Sequence, residues 1–166
     1  TATRGRGAYM NERRIRVGRR NRMADCLITT GFPFRPGQDF AQFMKMFSDI
    51  MKKTSAVRRP GSAALDLAYV AAGFSDGFFE TGLSAWDVAA GGLLVQEAGG
   101  LVGNFTGEAD YLYAQECLAA NPKIYGLMVK MLAKYSRYGE QALAEEAAAA
   151  AEAQPESPAE DADPEA

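Results

Sequence analysis

The sequence predicts an α/β protein in which helices cover a sheet of parallel or mixed strands. Short apolar runs typical of buried strands alternate with longer segments whose apolar residues have helical spacing. Glycine or proline stands at most boundaries between these segments, where it would end a helix or turn the chain. The chain has 166 residues, 48% of them hydrophobic, so it is long enough for one domain with a buried core.

The first part of the chain is predicted to contain a hairpin, a strand and a helix. Residues 1–22 favour a β-hairpin that turns at Asn11-Glu12. Residues 25–30 resemble a buried strand, and a loop rich in Gly and Pro follows. Helix 38–53 has Asp39 in its first turn. Its predicted apolar face carries six side chains: Phe40, Phe43, Met44, Phe47, Ile50 and Met51.

Strands and helices continue to alternate in the rest of the chain. Ser62 and Ser84 are suitable N-caps, and Pro122 suits the first turn of a last helix. The predicted strands are 55–59, 75–80, 101–102 and 111–120, and the predicted helices are 62–72, 85–98 and 122–136.

Charge is distributed unevenly along the chain. Residues 139–166 contain nine acids and no Lys or Arg, and the rest of the chain has a net charge of +6. Residues 1–22 contain eight arginines and one acid. Residues 139–153 could form an Ala-rich helix, whereas 154–166 lack core-forming side chains and are expected to be disordered. We therefore expect a basic folded part and an acidic tail.

The composition excludes several kinds of chemistry. The chain has no histidine, which removes Ser-His-Asp and Cys-His catalysis and zinc sites bound by His. Cys26 and Cys117 form no CxxC pattern, so we expect reduced thiols in a cytoplasmic protein. No segment has the roughly 20 apolar residues of a membrane span. The N-terminus has neither an apolar signal region nor an initiator Met, so the natural chain is expected to begin earlier.

Residues 82–102 combine an aspartate at a helix start with several small residues. Asp87 falls in the first turn, where the helix dipole stabilises a carboxylate that can also face a ligand. Gly91 and Gly92 follow inside the helix and cost about 1 kcal/mol each relative to alanine. They permit close approach, either by a ligand or by a packed neighbouring element. Spacing alone slightly favours the purely structural interpretation.

A second set of candidate residues lies upstream. The turn Pro60-Gly61-Ser62-Ala63 places backbone N–H groups at a helix start, which can bind an anion or a hydroxyl group. Ser62 also serves as a plain cap. Glu80 ends a strand, where ligand sites of α/β proteins often form, although on its own a solvated strand end explains it better.

Several motifs resemble those of the inositol monophosphatase family, in its bacterial branch, and occur in the same order: RGRGAYMN, ITTGFPF, GSAALDLAYVAAGFSDGFFE and WDVAAGGLLVQEAGG. The similarity covers residues 1–136. It implies the family's layered αβαβα sugar-phosphatase fold, of which this chain would be the C-terminal part. It also implies hydrolysis of a phosphate monoester of inositol by a water that Mg²⁺ activates.

The resemblance implies roles for individual residues as well. Asp87 would be a catalytic residue and a ligand of one Mg²⁺, an ion that prefers oxygen ligands. Trp86 would support Asp87 from the core side.

The implied substrate contacts come from separate segments. Glu80 would accept hydrogen bonds from substrate hydroxyl groups. The backbone of Ala63 would contact the inositol ring, with Ser62 and Gly61 beside it. Residues 30–31 would lie near another contact.

The resemblance is incomplete at one important point. The family's other metal ligands come from an acidic helix motif and a DPxDGT segment, and this chain contains neither. We therefore expect it to be inactive alone. The predicted organisation is a hairpin remnant of the N-terminal half over 1–22, a C-terminal α/β phosphatase subdomain over 23–138, and the tail over 139–166.

Two alternative functions stay open. Related phosphatases act on fructose 1,6-bisphosphate, phosphoadenosine nucleotides or histidinol phosphate. A function of another class would use the arginines of residues 1–22 to bind RNA or a protein of the transcription machinery, although a solvated basic hairpin explains them better. We also expect a homodimer, with Arg58 in a structural or interface position, and no membrane partner.

Overall fold

The computed structural model describes residues 1–33 and 37–139. The predictions made for the tail beyond residue 139 lie outside the described residues. The strands in this part are β1 (Ala2–Thr3), β2 (Gly7–Met10), β3 (Arg13–Arg14), β4 (Leu27–Thr30), β5 (Ala56–Arg58), β6 (Gly77–Thr81), β7 (Leu101–Gly103) and β8 (Glu116–Ala120). The α-helices are α1 (Phe40–Met51), α2 (Ala63–Ala72), α3 (Ala85–Glu97) and α4 (Pro122–Leu132), and short 3-10 helices span Met23–Asp25 and Ala133–Tyr135.

A five-stranded mixed sheet forms the centre of the protein, with the strand order β5-β4-β6-β8-β7. β4 runs parallel to both neighbours, whereas β8 runs antiparallel to β6 and β7. Thr30 of β4 pairs with Phe79 of β6, and Glu80 pairs with Cys117 of β8. The predicted α/β class with mixed strands is confirmed.

Helices cover both faces of this sheet, because successive side chains of a strand point to opposite faces. Phe78 packs in one buried cluster with Leu67 of α2 and Val88 of α3. The next residue, Phe79, packs in a second cluster with Phe43 of α1 and with α4. The sheet therefore lies between a layer of α2 and α3 and a layer of α1 and α4.

The N-terminal strands form a separate antiparallel sheet, β1-β2-β3, which lies against α3. The Glu97 carboxylate at the end of α3 accepts hydrogen bonds from the backbone N–H groups of Gly5, at 2.6 Å, and Gly7, at 2.7 Å. These two hydrogen bonds lower the pKa of Glu97. The predicted hairpin is confirmed around the turn at Asn11-Glu12, while residues 15–22 continue as an irregular segment.

Helix α1 buries a face that overlaps the predicted one at Phe43, Phe47 and Ile50. Phe43, Met46 and Ile50 are buried, because their spacing places them together toward the sheet. Asp39 is the N-cap and accepts a hydrogen bond from the N–H of Gln42 at 2.9 Å, so the helix begins at residue 40. Three of the six predicted core residues fall beside the buried face and are exposed: Phe40, Met44 and Met51.

The predicted strands all differ somewhat from the observed bounds, and local contacts explain two of the differences. Strand 111–120 is shorter than predicted and begins at Glu116, just after Gln115, which has a φ of 57°. β6 begins at Gly77 rather than at residue 75. Asp76 precedes it and uses its buried carboxylate to accept hydrogen bonds from the Leu27 N–H, at 2.8 Å, and from Arg20, at 3.1 Å.

The two glycines inside α3 serve packing within the protein. A Cβ on Gly91 would lie 2.5 Å from the Cβ of Leu67 in α2, and a Cβ on Gly92 would lie 2.5 Å from the Tyr111 hydroxyl. Neither glycine lines the cleft described below. The structural interpretation of these glycines is therefore confirmed.

Candidate functional site

A cleft of about 260 Å³ opens at the edge of the sheet where β4 and β6 end. The starts of α2 and α3 form two of its walls. All five residues singled out from the sequence line it, although they belong to three segments: Gly61, Ser62, Ala63, Glu80 and Asp87. Further lining residues include Gly31, Phe32, Gln38, Arg59 and Trp86.

A reciprocal set of hydrogen bonds orients Asp87 at the start of α3. One carboxylate oxygen accepts the N–H of Ser84 at 2.9 Å, and the N–H of Asp87 donates to the Ser84 carbonyl oxygen at 3.0 Å. This capping arrangement fixes the carboxylate beside the positive end of the helix dipole. Asp87 therefore faces the cleft in an orientation that the helix start determines.

Glu80 and Gly31 fit together where β6 and β4 end. Glu80 is largely buried, with 9% of its surface exposed. A Cβ on Gly31 would overlap the Glu80 carboxylate, so the missing side chain makes room for that group. Burial raises the pKa of the Cys117 thiol, and the Glu80 charge raises it further.

The first turn of α2 supplies uncapped backbone donors. The Ser62 hydroxyl accepts the N–H of Leu65 at 3.5 Å. The N–H groups of Ala63 and Ala64 make no hydrogen bond within the described residues, as expected for a helix start. Gly61 precedes this turn with a φ of 101°, which residues with a side chain rarely adopt. Such donors suit an anion or a sugar oxygen.

Trp86 does not support Asp87 from the core side, and that expectation is wrong. Its side chain is 81% exposed and lies at the mouth of the cleft. Each helical residue is rotated by about 100° from the previous one. Asp87 faces its cap and Val88 faces the buried cluster, so Trp86 projects outward.

Phe32 and Arg59 complete the mouth of the cleft, although no sequence pattern indicated either residue. The Arg59 guanidinium lies 5.4 Å from the centroid of the Phe32 ring, a cation–π contact. Arg59 is the one cation among the described residues that line the cleft. No local spacing connects the two residues, because the parallel pairing of β4 with β5 brings their segments together.

Two residues considered from the sequence lie outside the cleft. The Thr30 hydroxyl is buried and donates to the Phe79 carbonyl oxygen at 2.6 Å. Arg58 is exposed on the edge strand β5. Of the loop at residues 30–31, only Gly31 lines the cleft.

The side chains of the cleft fit a partial metal site. The Asp87 carboxylate offers the oxygen ligands that Mg²⁺ prefers. Among residues 1–33 and 37–139, no group of three or more His, Cys, Asp or Glu side chains is placed to hold a metal ion. Asp87 thus fits the role of one ligand in a site that needs further ligands.

Asp66 is a carboxylate in the first turn of α2 that no sequence pattern indicated. It is fully buried and lies outside the cleft. Neither carboxylate oxygen has a hydrogen-bond partner within the described residues, because the nearby Thr29 hydroxyl donates to the Gly77 carbonyl oxygen at 3.4 Å. Burial raises the pKa of Asp66 to about 6, and Thr29 opposes this shift by a smaller amount.

The chain belongs to the inositol monophosphatase family, whose sequence profile matches residues 1–151. It is 51% identical over 127 residues to the Nus factor SuhB of Pseudomonas aeruginosa, a match covering 75% of this chain and 47% of that protein. It is 48% identical over 134 residues to an inositol-1-monophosphatase of Mesorhizobium japonicum, covering 81% and 50%. The crystal structure of the extragenic suppressor protein SuhB from Bartonella henselae superposes with a TM-score of 0.75 at 45% identity, covering 79% and 50%.

The chain spans about half the length of these relatives. The sheet and its helix layers are thus the part of the inositol monophosphatase fold that the chain contains, as the resemblance implied. None of the helices within the described residues is long and apolar enough to cross a membrane.

Proposed function

We propose that this chain is the C-terminal half of a magnesium-dependent phosphatase that hydrolyses a phosphate monoester of inositol. The observation that carries the proposal is the shared cleft, in which Asp87, Glu80 and the start of α2 face one space. The relative that is named inositol-1-monophosphatase supports this choice of substrate.

In this proposal Asp87 is the Mg²⁺ ligand and the catalytic residue that this chain contributes. A Mg²⁺ ion bound there would neutralise phosphate charge and lower the pKa of a coordinated water. The capping hydrogen bond from Ser84 holds the Asp87 carboxylate in place, so little reorganisation is needed when a ligand arrives. The remaining ligands would come from the half of the relatives that this chain does not span.

The other cleft residues bind and orient the substrate. Glu80 accepts hydrogen bonds from sugar hydroxyl groups, and hydrogen bonds to a charged acceptor contribute about 1.5–3 kcal/mol each. The Ala63 N–H donates to a substrate oxygen. The Ser62 cap and the Gly61 turn hold that N–H toward the cleft. Together these groups would place the phosphate ester against Asp87.

The test compares phosphate release from inositol 1-phosphate, with Mg²⁺, by the chain alone and by the product of the extended upstream reading frame. We expect only the extended protein to release phosphate, and the chain alone to be inactive. Asp87→Asn should lower the kcat of the extended protein by about 100-fold or more, because a bound metal ion contributes several kcal/mol of transition-state stabilisation. Asp110→Asn is the control, since Asp110 accepts a hydrogen bond from Asn104 outside the cleft. Equal activity of the two variants would contradict the role of Asp87.

The same assay separates the related substrates. Fructose 1,6-bisphosphate, 3′-phosphoadenosine nucleotides and histidinol phosphate are offered in parallel with inositol 1-phosphate. If one of these compounds has a higher kcat/KM than inositol 1-phosphate, that compound is the better substrate. The protein would still be a phosphatase. In this proposal the full-length protein is a cytoplasmic homodimer. Light scattering can check the dimeric state.

A second candidate function is RNA binding by the Arg-rich N-terminal segment. Several relatives are named Nus factor SuhB. All eight arginines between Arg4 and Arg22 have exposed positions, and arginine clusters bind phosphate backbones.

A salt series of RNA affinity tests this function directly. Binding through several phosphates should weaken steeply as salt rises. Arg6→Glu combined with Arg13→Glu should lower the affinity, whereas Lys45→Glu on helix α1 should not. Binding that is absent or independent of salt would remove the RNA-binding function.

A further inference from the structure

A group of four lysines stands where helices α1 and α4 end. These residues, here called the lysine patch, are Lys52, Lys53, Lys130 and Lys134. They surround a depression of about 310 Å³, whose other lining residues are Asp49 and Met131. The patch lies on the layer of α1 and α4, away from the cleft.

The lysine patch contains far more positive than negative charge. Asp49 is the one acid that lines it, and that carboxylate accepts hydrogen bonds from the Lys134 ammonium and the Tyr135 hydroxyl, both at 2.8 Å. The hydrogen bond from Lys134 is the main reason that the pKa of Asp49 is lowered. Lys52, Lys53 and Lys130 form no ion pair within the part of the chain that the structure describes.

Some basic residues elsewhere in the described chain also have acids beside them. Arg20 pairs with Asp76 at 3.1 Å, and Arg22 lies 3.6 Å from Asp25. Glu97 stands close enough to Arg4 and Arg14 for their charges to lower its pKa. The lysine patch is therefore a cluster of four lysines with a single acid beside them. Lysines at helix C-termini interact favourably with the helix dipole, and this interaction explains why lysines occur there. Their exposed ammonium groups can still bind an anionic partner.

The chain itself carries a matching anion. Residues 156–165 contain five acids and no Lys or Arg: Glu156, Glu160, Asp161, Asp163 and Glu165. Lys134 precedes Gly139, the last described residue, by five positions. Sixteen residues, 140–155, lie between Gly139 and this acidic segment, and a random-coil chain of that length spans roughly 20–25 Å on average.

We propose that the lysine patch is the docking surface for the acidic C-terminal segment 156–165 of the same chain. A single exposed ion pair contributes at most about 1 kcal/mol. Covalent attachment raises the local concentration of the segment to the millimolar range, so several weak pairs act together. Docking is therefore reversible and salt-sensitive, and an anionic partner that approaches this face competes with the segment.

Zero-length carbodiimide crosslinking of the whole chain, followed by peptide mass spectrometry, tests this assignment. At low salt we expect crosslinks between patch lysines and the acids of 156–165. They should fall at least about fivefold in 1 M salt, where the Debye length is about 3 Å. Lys45 and Lys123 are exposed lysines outside the patch and serve as internal controls. Equal crosslinking at these controls would overturn the proposal.

A charge reversal and an isotope mixture make the test stricter. Lys53→Glu combined with Lys130→Glu should reduce tail crosslinks to Lys52 and Lys134, whereas Lys45→Glu should leave them unchanged. Circular dichroism verifies that each variant remains folded. In an equal mixture of ¹⁴N and ¹⁵N protein, crosslinks should join peptides of the same label. Mixed-label crosslinks that increase with protein concentration would identify a second copy as the occupant and refute docking within one chain.

Discussion

Asp66 and Asp87 occupy comparable positions in adjacent helices but have different environments. Both lie in the first turn of a helix that begins at the cleft. Asp87 is held by the Ser84 N–H and faces the cleft. Asp66 points toward the sheet, is fully buried and lacks a hydrogen-bond partner within the described residues. The same residue type at a similar helical position is thus a candidate ligand in one helix and a buried charge in the other.

Among the residues at the helix starts and in the cleft, Asp66 is expected to have the largest effect on stability. Its pKa of about 6 lies above the ordinary value of 3.8, so the folded protein holds this proton more tightly than the unfolded chain. The contribution of Asp66 to stability is therefore fully present below about pH 4 and is lost as the pH rises through 6. Asp66→Asn should raise the free energy of unfolding by roughly 2–3 kcal/mol at pH 8 and by little at pH 4.

Urea unfolding at both pH values measures this difference. Asp87→Asn is the matched control, because an Asn oxygen can still accept the Ser84 N–H. It should show no comparable gain at pH 8. An equal response of the two variants would remove the contrast between the two aspartates.

The next effect concerns the space beside Glu80. Gly31→Ala should destabilise the protein by about 1–3 kcal/mol, because the new methyl group would overlap the Glu80 carboxylate. Gly126→Ala in α4 is the control, since no atom lies within 4 Å of the added Cβ. Alanine there should stabilise the helix by about 1 kcal/mol. Thermal or urea unfolding distinguishes the two signs.

Loss of the Asp87 cap should have a smaller effect. Asp87→Ala removes the acceptor for the Ser84 N–H and should cost about 1 kcal/mol of stability. Asp87→Asn should recover most of this loss in urea unfolding without recovering phosphatase activity in the extended protein. Recovery of both properties by Asn would show that Asp87 acts only as a cap.

The smallest effect is expected at Trp86. Because the side chain is 81% exposed, Trp86→Ala should change the free energy of unfolding by less than about 0.5 kcal/mol. Phe79→Ala, at a fully buried position, should cost about 3–5 kcal/mol. A large decrease in the free energy of unfolding for Trp86→Ala would indicate that this residue does support Asp87 from the core.

Local sequence patterns predicted the helix starts well, because each start depends on one capping residue and its near neighbours. Ser62 caps α2, Ser84 begins α3, and Asn121 accepts hydrogen bonds from the first turn of α4. These outcomes depend on hydrogen bonds between residues two to four positions apart, which the sequence displays directly. The predicted strand over 111–120 was too long. Neither its apolar residues nor the alternation of apolar and polar side chains shows where pairing with β6 begins.

The candidate site was predicted in part for the same reason. The resemblance pointed to Asp87, Glu80 and the turn at Gly61, and the structure brings them into one cleft. Arg59 and Phe32 were missed, since their contact joins segments that are far apart in sequence. The burial of Asp66 was missed as well, because helical position alone does not say which face meets a sheet.

The amino-acid sequence alone predicts the α/β class, the helix starts and the aspartate in the first turn of α3. These features follow from apolar periodicity and from capping groups close together along the chain. The packing of distant segments, in contrast, determines that Asp87 faces a cleft while Asp66 is buried, and that Trp86 projects outward. Solvent access and pairing depend on atoms from distant strands and helices, and a local pattern contains no information about those atoms.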